Sequence, residues 1–350
     1  MSALSAHCTA GASRQVRLAA RPRGRTDGDT WEITTAPVPE PGDGAFVVRT
    51  ELISVDPAMR GWLDDVRSYV PPVGVGEVMR AHAVGRVVTS RHPDYPEGSV
   101  VSGTFGVCEH ALVGPGGIPL RAAGVEVVDE SIAPASVWLG ALGFPGKTAY
   151  FGLTDVARMR PGETVLISGA AGAVGSTAVQ IAKLHGCRVV GVAGGPDKCA
   201  WLTDELGADA AVDYKAGSVG RALRAAAPDG VDVYFDNVGG PLLDSALAQL
   251  RTHARIALCG AISGYNATEP QPGPSRYLSL LVNRASMQGF IIFDYADRFP
   301  EATAALSAWI RRGLLATPTQ IVDGTVDDFG ATLNKLFDGA NTGKLMLRIA

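Results

Sequence analysis

The sequence predicts an α/β chain of two lobes, a partly closed β-barrel and a doubly wound parallel sheet covered by helices. Three observations carry this expectation. An apolar run, Thr164-Val165-Leu166-Ile167-Ser168, leads into the glycine turn GAAGAVG at residues 169 to 175 and then into the helix-like stretch STAVQIAKLHG, residues 176 to 186. From residue 146 to about 316, strand-like and helix-like runs alternate, as in a parallel sheet with helices on both faces. From residue 14 to about 145, short strand-like runs are broken by Gly and Pro, the texture of a barrel.

The elements follow in chain order. Residues 1–13 are small and polar, without the basic start and apolar centre of a signal peptide, and read as a flexible tail. The barrel strands are WEITTAP (31 to 37), AFVVRTELISV (45 to 55), AHAVGRVVTS (81 to 90) and SVVSGTFG (99 to 106), with turns such as PVPEPGDG between them. The alternating region continues past the glycine turn with strand 188 to 194, helix 197 to 207, strand 210 to 214 and helix 218 to 227. Strand 231 to 238, helix 241 to 250, strands 254 to 260 and 286 to 292, and helix 298 to 313 complete it. The last segment, 317–350, holds strand 318 to 322, helix 327 to 339 and strand 344 to 349, too little for a domain, and is expected to complete the first lobe.

Bulk properties exclude several classes. A 46% hydrophobic composition supports a large core, and 19% charged residues are too few for a disordered chain. With a net charge of −4 and no dense basic run, nucleic acid and anionic membranes are not expected partners. No stretch reaches the ~18 apolar residues of a membrane span. The five cysteines, Cys8, Cys108, Cys187, Cys199 and Cys259, lie far apart and form no CxxC, so reduced thiols and a cytoplasmic location are expected.

A strand, glycine turn and helix in sequence hold a dinucleotide pyrophosphate, because free N–H groups and the helix dipole at the helix start favour an anion. Gly172 and Gly175 remove side chains where backbone must approach phosphate and where helix packs on strand. In a chain with 43 glycines the spacing alone is weak; its position between strand and helix makes it strong. NADH and NADPH are told apart at the tip of the second strand, where NAD enzymes often place an acid. Here the tip is Gly194-Gly195, and Lys198 could pair with a 2′-phosphate. Asp197 reads as an N-cap for the following helix, with a ribose acid as the alternative. Lys198 could equally be an ordinary surface lysine.

The glycine turn, YFDNVGG (234 to 240) and CGAISGYN (259 to 266) resemble the medium-chain dehydrogenase/reductase superfamily. ISVDPAMRGWLDD (53 to 65), SYVPPVGVGEVMRA (68 to 81), GFPGKTAYFGL (143 to 153) and NTGKLMLRI (341 to 349) are similar to its zinc-independent prostaglandin, alkenal and curcumin reductase branch. The resemblance covers nearly everything after residue 14 and implies a GroES-like barrel domain, residues 14–145 with 317–350, and a Rossmann NADPH-binding domain, residues 146–316. It implies that Gly172, Ala173, Val174 and Gly175 meet the pyrophosphate, Lys198 the 2′-phosphate, Tyr214 the adenosine phosphate and Asn237 a ribose. It places Cys259, Gly260, Ala261, Ile262, Ser263 and Tyr265, with Phe290, Ile291 and Ile292, around the nicotinamide, and brings Asn341 to the cofactor from the returning segment. By residue type alone, Tyr214 and Phe290 would be core aromatics and Asn237 a turn residue. The branch usually carries tyrosine within DPxMR where this chain has Ala58, which reshapes the substrate pocket. It also implies a homodimer, with the strand near 286 to 292 extending a sheet across the interface.

Related alcohol dehydrogenases hold catalytic zinc with Cys and His. Cys108 and His110 are close in sequence, but two candidates are not three ligands and no companion stands at ligand spacing, so no metal is expected. Reduction of a C=C bond conjugated to a carbonyl does not need one. Hydride adds to the β-carbon, charge develops on the carbonyl oxygen, and one or two hydrogen-bond donors stabilise it. Tyr265, in a loop after a strand end, is the first candidate donor, and Tyr69, beside Pro71 and Pro72, the second or else a surface ring. Arg60 could meet a substrate carboxylate or bond backbone carbonyls near the cleft; Trp62 could line the pocket or belong to the core. The expected activity is NADPH-dependent reduction of enones and enals, small-molecule substrates. Quinone reduction on the same scaffold, alcohol oxidation and a non-catalytic NADPH-binding role remain as alternatives.

Overall fold

The computed structural model describes residues 11–349. Strand β1 (Ala12–Leu18) pairs antiparallel with β2 (Trp31–Pro37) as a separate two-stranded sheet. Most of the segment read as a tail lies outside the described residues, and β1 begins within its last two positions. The barrel follows: β3 (Phe46–Ser54), the short helix α1 (Ala58–Gly61), β4 (His82–Ser90), β5 (Val100–Thr104), β6 (His110–Val113), helix α2 (Leu120–Ala123) and β7 (Glu126–Val127). Neighbouring strands here are antiparallel, and β3 holds both β4 and β6. Eight of nine residues in β3 are buried or half-buried, with only Arg49 exposed, because the sheet curls until both faces are covered. Val16 closes the gap: its N–H donates to the Val107 carbonyl at 2.9 Å and its carbonyl accepts from Met79 at 2.8 Å. Val16, Leu18, Phe46, Ile53, Met59, Leu63 and Phe105 form the packed interior of this lobe.

Helix α3 (Phe144–Phe151) leaves the barrel and leads into the second lobe. The order is then β8 (Thr164–Ile167), α4 (Ala173–Leu184), β9 (Arg188–Ala193), α5 (Pro196–Asp204), β10 (Ala210–Asp213), α6 (Val219–Ala226), β11 (Val231–Asp236), α7 (Gly240–Leu247), β12 (Leu250–Leu258), α8 (Leu278–Asn283), β13 (Ser286–Gly289) and α9 (Phe299–Arg311). All six strands are parallel, in the order β10-β9-β8-β11-β12-β13. Chain direction across the sheet reverses between β8 and β11, and ligands of such sheets bind in the crevice outside the strand ends at that point. Helices α3, α4 and α9 pack on one face, and α6 and α7 on the other, each with its own apolar core.

The chain then returns to the barrel. β14 (Thr319–Gly324) and, after α10 (Phe329–Phe337), β15 (Lys344–Ile349) pair in parallel, and β15 joins β3 to give a seven-stranded sheet in the order β14-β15-β3-β4-β5-β7, with β6 paired to β3 off this path.

Three local expectations are corrected. Asp197 does not cap α5: Gly195 does, at φ 98°, with Pro196 at the first helical position, so Asp197 falls in the first turn. The strand expected over 286 to 292 ends at Gly289, because Phe290 turns in to meet Phe235 edge-on at 6.2 Å. Strand β12 starts at Leu250 rather than 254, and its register with β11 shifts between Val231 and Val233. Among the described residues no helix is long and apolar enough to cross a membrane.

Candidate active site

The glycine turn sits at the C-terminal end of β8. Gly169 takes φ 58°, a conformation costly for other residues, and turns the chain into α4. A Cβ on Gly175 would lie 2.2 Å from the Gly169 carbonyl oxygen, so only glycine lets the helix seat this close to the turn. Gly172 caps the helix without a side-chain bond. The first-turn N–H groups of Ala173, Val174 and Gly175 have no intrahelical acceptor, and they face the crevice end of the sheet. That backbone cradle suits a diphosphate.

The returning segment closes one side. Gly343 donates its N–H to the Ala171 carbonyl at 2.8 Å, and Gly343 and Gly172 form a β-bridge. Asn341, 9% exposed, folds its side-chain amide onto the Gly343 carbonyl at 3.1 Å. Lys198 reaches the same segment: its Nζ donates to the carbonyls of Gly339 (2.8 Å) and Asn341 (2.5 Å). Burial, and then neighbouring Lys215, lower its pKa. The Tyr214 ring covers the strand tip, where a Cβ on Gly194 would come within 2.8 Å of it. Asp213 stands at this corner. One of its oxygens accepts from the N–H groups of Gly195 (2.8 Å) and Lys215 (2.9 Å), which hold its pKa below the usual range. The corner therefore presents two cations and an acid already engaged by backbone.

The end of β11 forms the opposite wall. Asp236 is fully buried, and its Oδ1 accepts from Ser168 Oγ (2.9 Å), Tyr234 OH (2.7 Å) and the N–H groups of Val238 (2.9 Å) and Gly239 (3.0 Å). Asn237 donates its side-chain amide to the Ser168 carbonyl at 2.7 Å. What remains for a ribose hydroxyl is its amide oxygen and its second amide hydrogen. This clamp ties the ends of β8 and β11 together where the crevice opens.

The loop after β12 supplies the floor. Cys259 and Gly260 both donate N–H to the Asp236 carbonyl, at 2.8 and 3.1 Å. Burial, then the charge of Asp236, push the Cys259 thiol up to about 12, so it is a neutral wall. Ile262 donates its N–H to the Asn237 carbonyl and Ser263 its Oγ to the Val238 carbonyl, pinning the loop to the clamp. Tyr265 OH accepts the Ala261 N–H at 3.2 Å, which leaves the phenolic hydrogen free to donate. Phe290, Ile291 and Ile292 are half-buried, with the Phe290 ring against Phe235 at the end of β11. Across the crevice Tyr69 OH accepts the Trp62 Nε1–H at 3.1 Å, and its ring lies 6.4 Å from that of Phe293 in the other lobe. Burial raises both phenols; Tyr69 is among the neighbours felt at Tyr265, and Cys259 is among those felt at both. Trp62 is half-buried, with the Arg80 guanidinium 5.5 Å above its ring.

Two family models match the chain: the N-terminal domain of oxidoreductase, over residues 14–119, and zinc-binding dehydrogenase, over residues 173–308. The NADPH-dependent curcumin reductase of Escherichia coli is 40% identical over 344 residues, covering 97% of this chain and 97% of that protein. Prostaglandin reductase 1 of Mus musculus is 38% identical over 326 residues, covering 92% of this chain and 94% of its own. The crystal structure of CurA in complex with NADPH from Vibrio vulnificus has a TM-score of 0.88 at 37% identity, over 96% of this chain and 99% of that one. The chain belongs to the medium-chain dehydrogenase/reductase superfamily.

Membership in this superfamily, and a model whose description names zinc, raise the question of ligands. Among the described residues no group of three or more His, Cys, Asp or Glu could hold an ion. Cys108 is buried, donates its Sγ–H to the Phe105 carbonyl at 3.4 Å, and burial lifts its thiol to about 12.

Of the two readings of Arg60, the structure shows the bonds to backbone carbonyls. Arg60 is 2% exposed, and its guanidinium donates to the carbonyls of Gly24 (2.6 Å) and Pro22 (3.2 Å) and to Asp64 (2.8 Å). It fastens α1 to the segment after β1. The remaining candidates gather around one crevice. Reading the sequence missed the groups beneath it: the Ser168–Asp236 clamp, and Lys344, whose Nζ donates to the Val55 carbonyl (3.0 Å) and Asp56 (2.6 Å). The one available signal was a lysine leading into the apolar run Leu345-Met346-Leu347 of the strand KLMLRI.

Proposed function

We propose that this protein is an NADPH-dependent reductase of C=C bonds conjugated to ketone or aldehyde carbonyls, working without a metal. The observation that carries it is the pair of neutral phenols, Tyr265 and Tyr69, on opposite sides of one crevice. Each accepts a neighbour's N–H and keeps its own hydrogen for donation. The relatives named above, a curcumin reductase and a prostaglandin reductase, support the reading.

The backbone cradle of Ala173, Val174 and Gly175 holds the pyrophosphate, Lys198 and Tyr214 the 2′-phosphate end, and Asn237 a ribose. When bound, the nicotinamide supplies a hydride. Tyr265 donates a hydrogen bond to the carbonyl oxygen as charge grows there, the electrostatic task that zinc performs in metal-dependent relatives, and the α-carbon of the resulting enolate then takes a proton from a donor or from water. Burial keeps Tyr265 protonated at neutral pH, so it is a donor throughout the working range. The apolar walls from Cys259, Phe290 and Ile292 exclude water from the transfer.

The direct test is NADPH consumption against a panel of enones, enals and quinones. Turnover of enones with a conjugated C=C and none of the saturated ketones supports the reading. Exclusive turnover of quinones replaces it, and no consumption with any acceptor leaves a binding protein. Tyr265→Phe is expected to lower kcat/KM for the enone roughly 10²–10³-fold with NADPH affinity unchanged.

A homodimer goes with this reading. Strand β13 is a free sheet edge, and Leu281 and Val282 of α8 beside it are 74% and 69% exposed. Two copies pairing at β13 would cover both, which sedimentation can check. The cysteines described are all free thiols, in keeping with a cytoplasmic protein.

A further inference from the structure

We propose that Lys198 is also a positioning residue, coupling recognition of the cofactor's 2′-phosphate to the seating of residues 339–344 and, through them, to the substrate side of the crevice. This rests on the NADPH reading above and deepens it.

An ammonium has three N–H donors. Lys198 gives two of them to the carbonyls of Gly339 and Asn341, which leaves one for a ligand. Among the described residues no carboxylate lies within ion-pair distance of it, so carbonyl dipoles alone offset a half-buried charge whose pKa burial already lowers. A phosphate dianion is the counter-charge that such a site suits. Bringing it to the third donor fixes the ammonium and with it the two carbonyls.

Those carbonyls belong to a segment with little slack. Thr342 donates its N–H to Gln320 Oε1 (3.1 Å), Gly343 to the Ala171 carbonyl (2.8 Å) and Lys344 to the Pro318 carbonyl (3.0 Å). A Cβ on Gly343 would stand 2.4 Å from the Pro318 oxygen. The same segment ends at Lys344, 2% exposed, whose ammonium holds Asp56, and the charge of Asp56 is felt at Tyr69. Six consecutive residues thus touch, in order, the 2′-phosphate corner, the pyrophosphate turn and the wall that carries the second phenol. A ligand that tightens one end restrains the other.

The test is hydrogen exchange over residues 338–344 in the full-length protein, at saturating NADPH and at saturating NADH, with saturation set by nucleotide-fluorescence titration. NADPH is expected to slow the Thr342, Gly343 and Lys344 amides about tenfold more than NADH does. At saturating cofactor, the KM for an enone is expected to be several-fold higher with NADH. Lys198→Ala should abolish the difference between cofactors and speed exchange of the free protein. Lys198→Gln, which keeps neutral donors for the carbonyls, should leave the free protein's exchange near normal and still lose the NADPH-specific slowing. It guards against a misfolded alanine variant.

If wild-type protein binds NADPH and NADH alike, the 2′-phosphate reading fails and the inference goes with it. If NADPH is preferred and Lys198→Gln loses that preference, yet both cofactors protect residues 338–344 equally in the wild type, the cofactor reading stands and the coupling is overturned. NADPH-specific protection that survives in Lys198→Gln overturns it as well.

Discussion

At the cofactor end of the crevice the backbone sets the site: first-turn N–H groups of α4 are offered directly, and the Lys198 ammonium is held in place by two backbone carbonyls. At the substrate end they are side chains, Trp62, Tyr69, Tyr265 and Phe293, which arrive from three separate stretches of chain. Backbone sites are held by the sheet itself and tolerate almost no added atom. Side-chain sites are held by pairwise contacts and can be retuned one residue at a time. The first kind accommodates a constant ligand and the second a variable one, in line with the reading of a fixed nucleotide and a range of enones.

The contrast is tested hardest at Gly175. Adding one methyl there, Gly175→Ala, places a carbon 2.2 Å from the Gly169 oxygen. Helix and turn must part, at a cost of about 3 kcal/mol in stability, and the cradle opens. A loss of nucleotide affinity of roughly a hundredfold, about 2.7 kcal/mol, is expected by titration. Unchanged affinity with a normal melting temperature would show that the turn does not anchor the cofactor.

The layer beneath the substrate end gives the next effect. His82 stacks on Phe144 at 4.5 Å; burial lowers its pKa from 6.5 to about 4, Asp56 opposes that, and Lys147 and Lys344 add to it. The folded protein keeps this imidazole neutral while the unfolded chain protonates it near 6.5. Its contribution is therefore whole above about pH 6.5 and is lost as pH falls toward 4, up to about 3 kcal/mol. Urea melts at pH 7 and pH 4.5 measure the loss. His82→Phe, which preserves the ring stack, should flatten that pH dependence, and an unchanged dependence would remove His82 as its source.

The same asymmetry governs what could be read from the chain. The parallel sheet, the returning segment and the glycine turn were legible because backbone geometry restricts residue types: glycine where a Cβ would collide, apolar runs where a strand is covered on both faces. Lys198 was legible as a charge beside a strand tip with no acid. Its two carbonyl partners were not, since they lie more than a hundred residues away and carbonyls have no residue type. Arg60 was ambiguous for the same reason; only the position of Gly24 and Pro22 shows that it bonds backbone carbonyls. The clamp on Asp236 stayed hidden because Ser168 and Tyr234 look like ordinary strand residues until two strand ends are set side by side.

The smallest effect sharpens the comparison within the substrate end. Tyr69 and Tyr265 offer the same chemistry, a phenol that accepts one N–H and retains its hydrogen, but not the same setting. Tyr69 is 47% exposed and leans on Trp62, whereas Tyr265 is half-buried and held by the backbone of the loop that floors the crevice. A donor in a wetter, more mobile setting stabilises developing charge less, because water competes and the side chain must be ordered at the moment of reaction. Tyr69→Phe is therefore expected to lower enone kcat/KM only about three- to tenfold, about 1 kcal/mol, mostly through KM. If Tyr69→Phe instead costs more than Tyr265→Phe, with the loss in kcat, the oxygen of the substrate points toward the barrel lobe. The two phenols would then exchange roles, and the floor loop would serve to shape the pocket rather than to carry the charge.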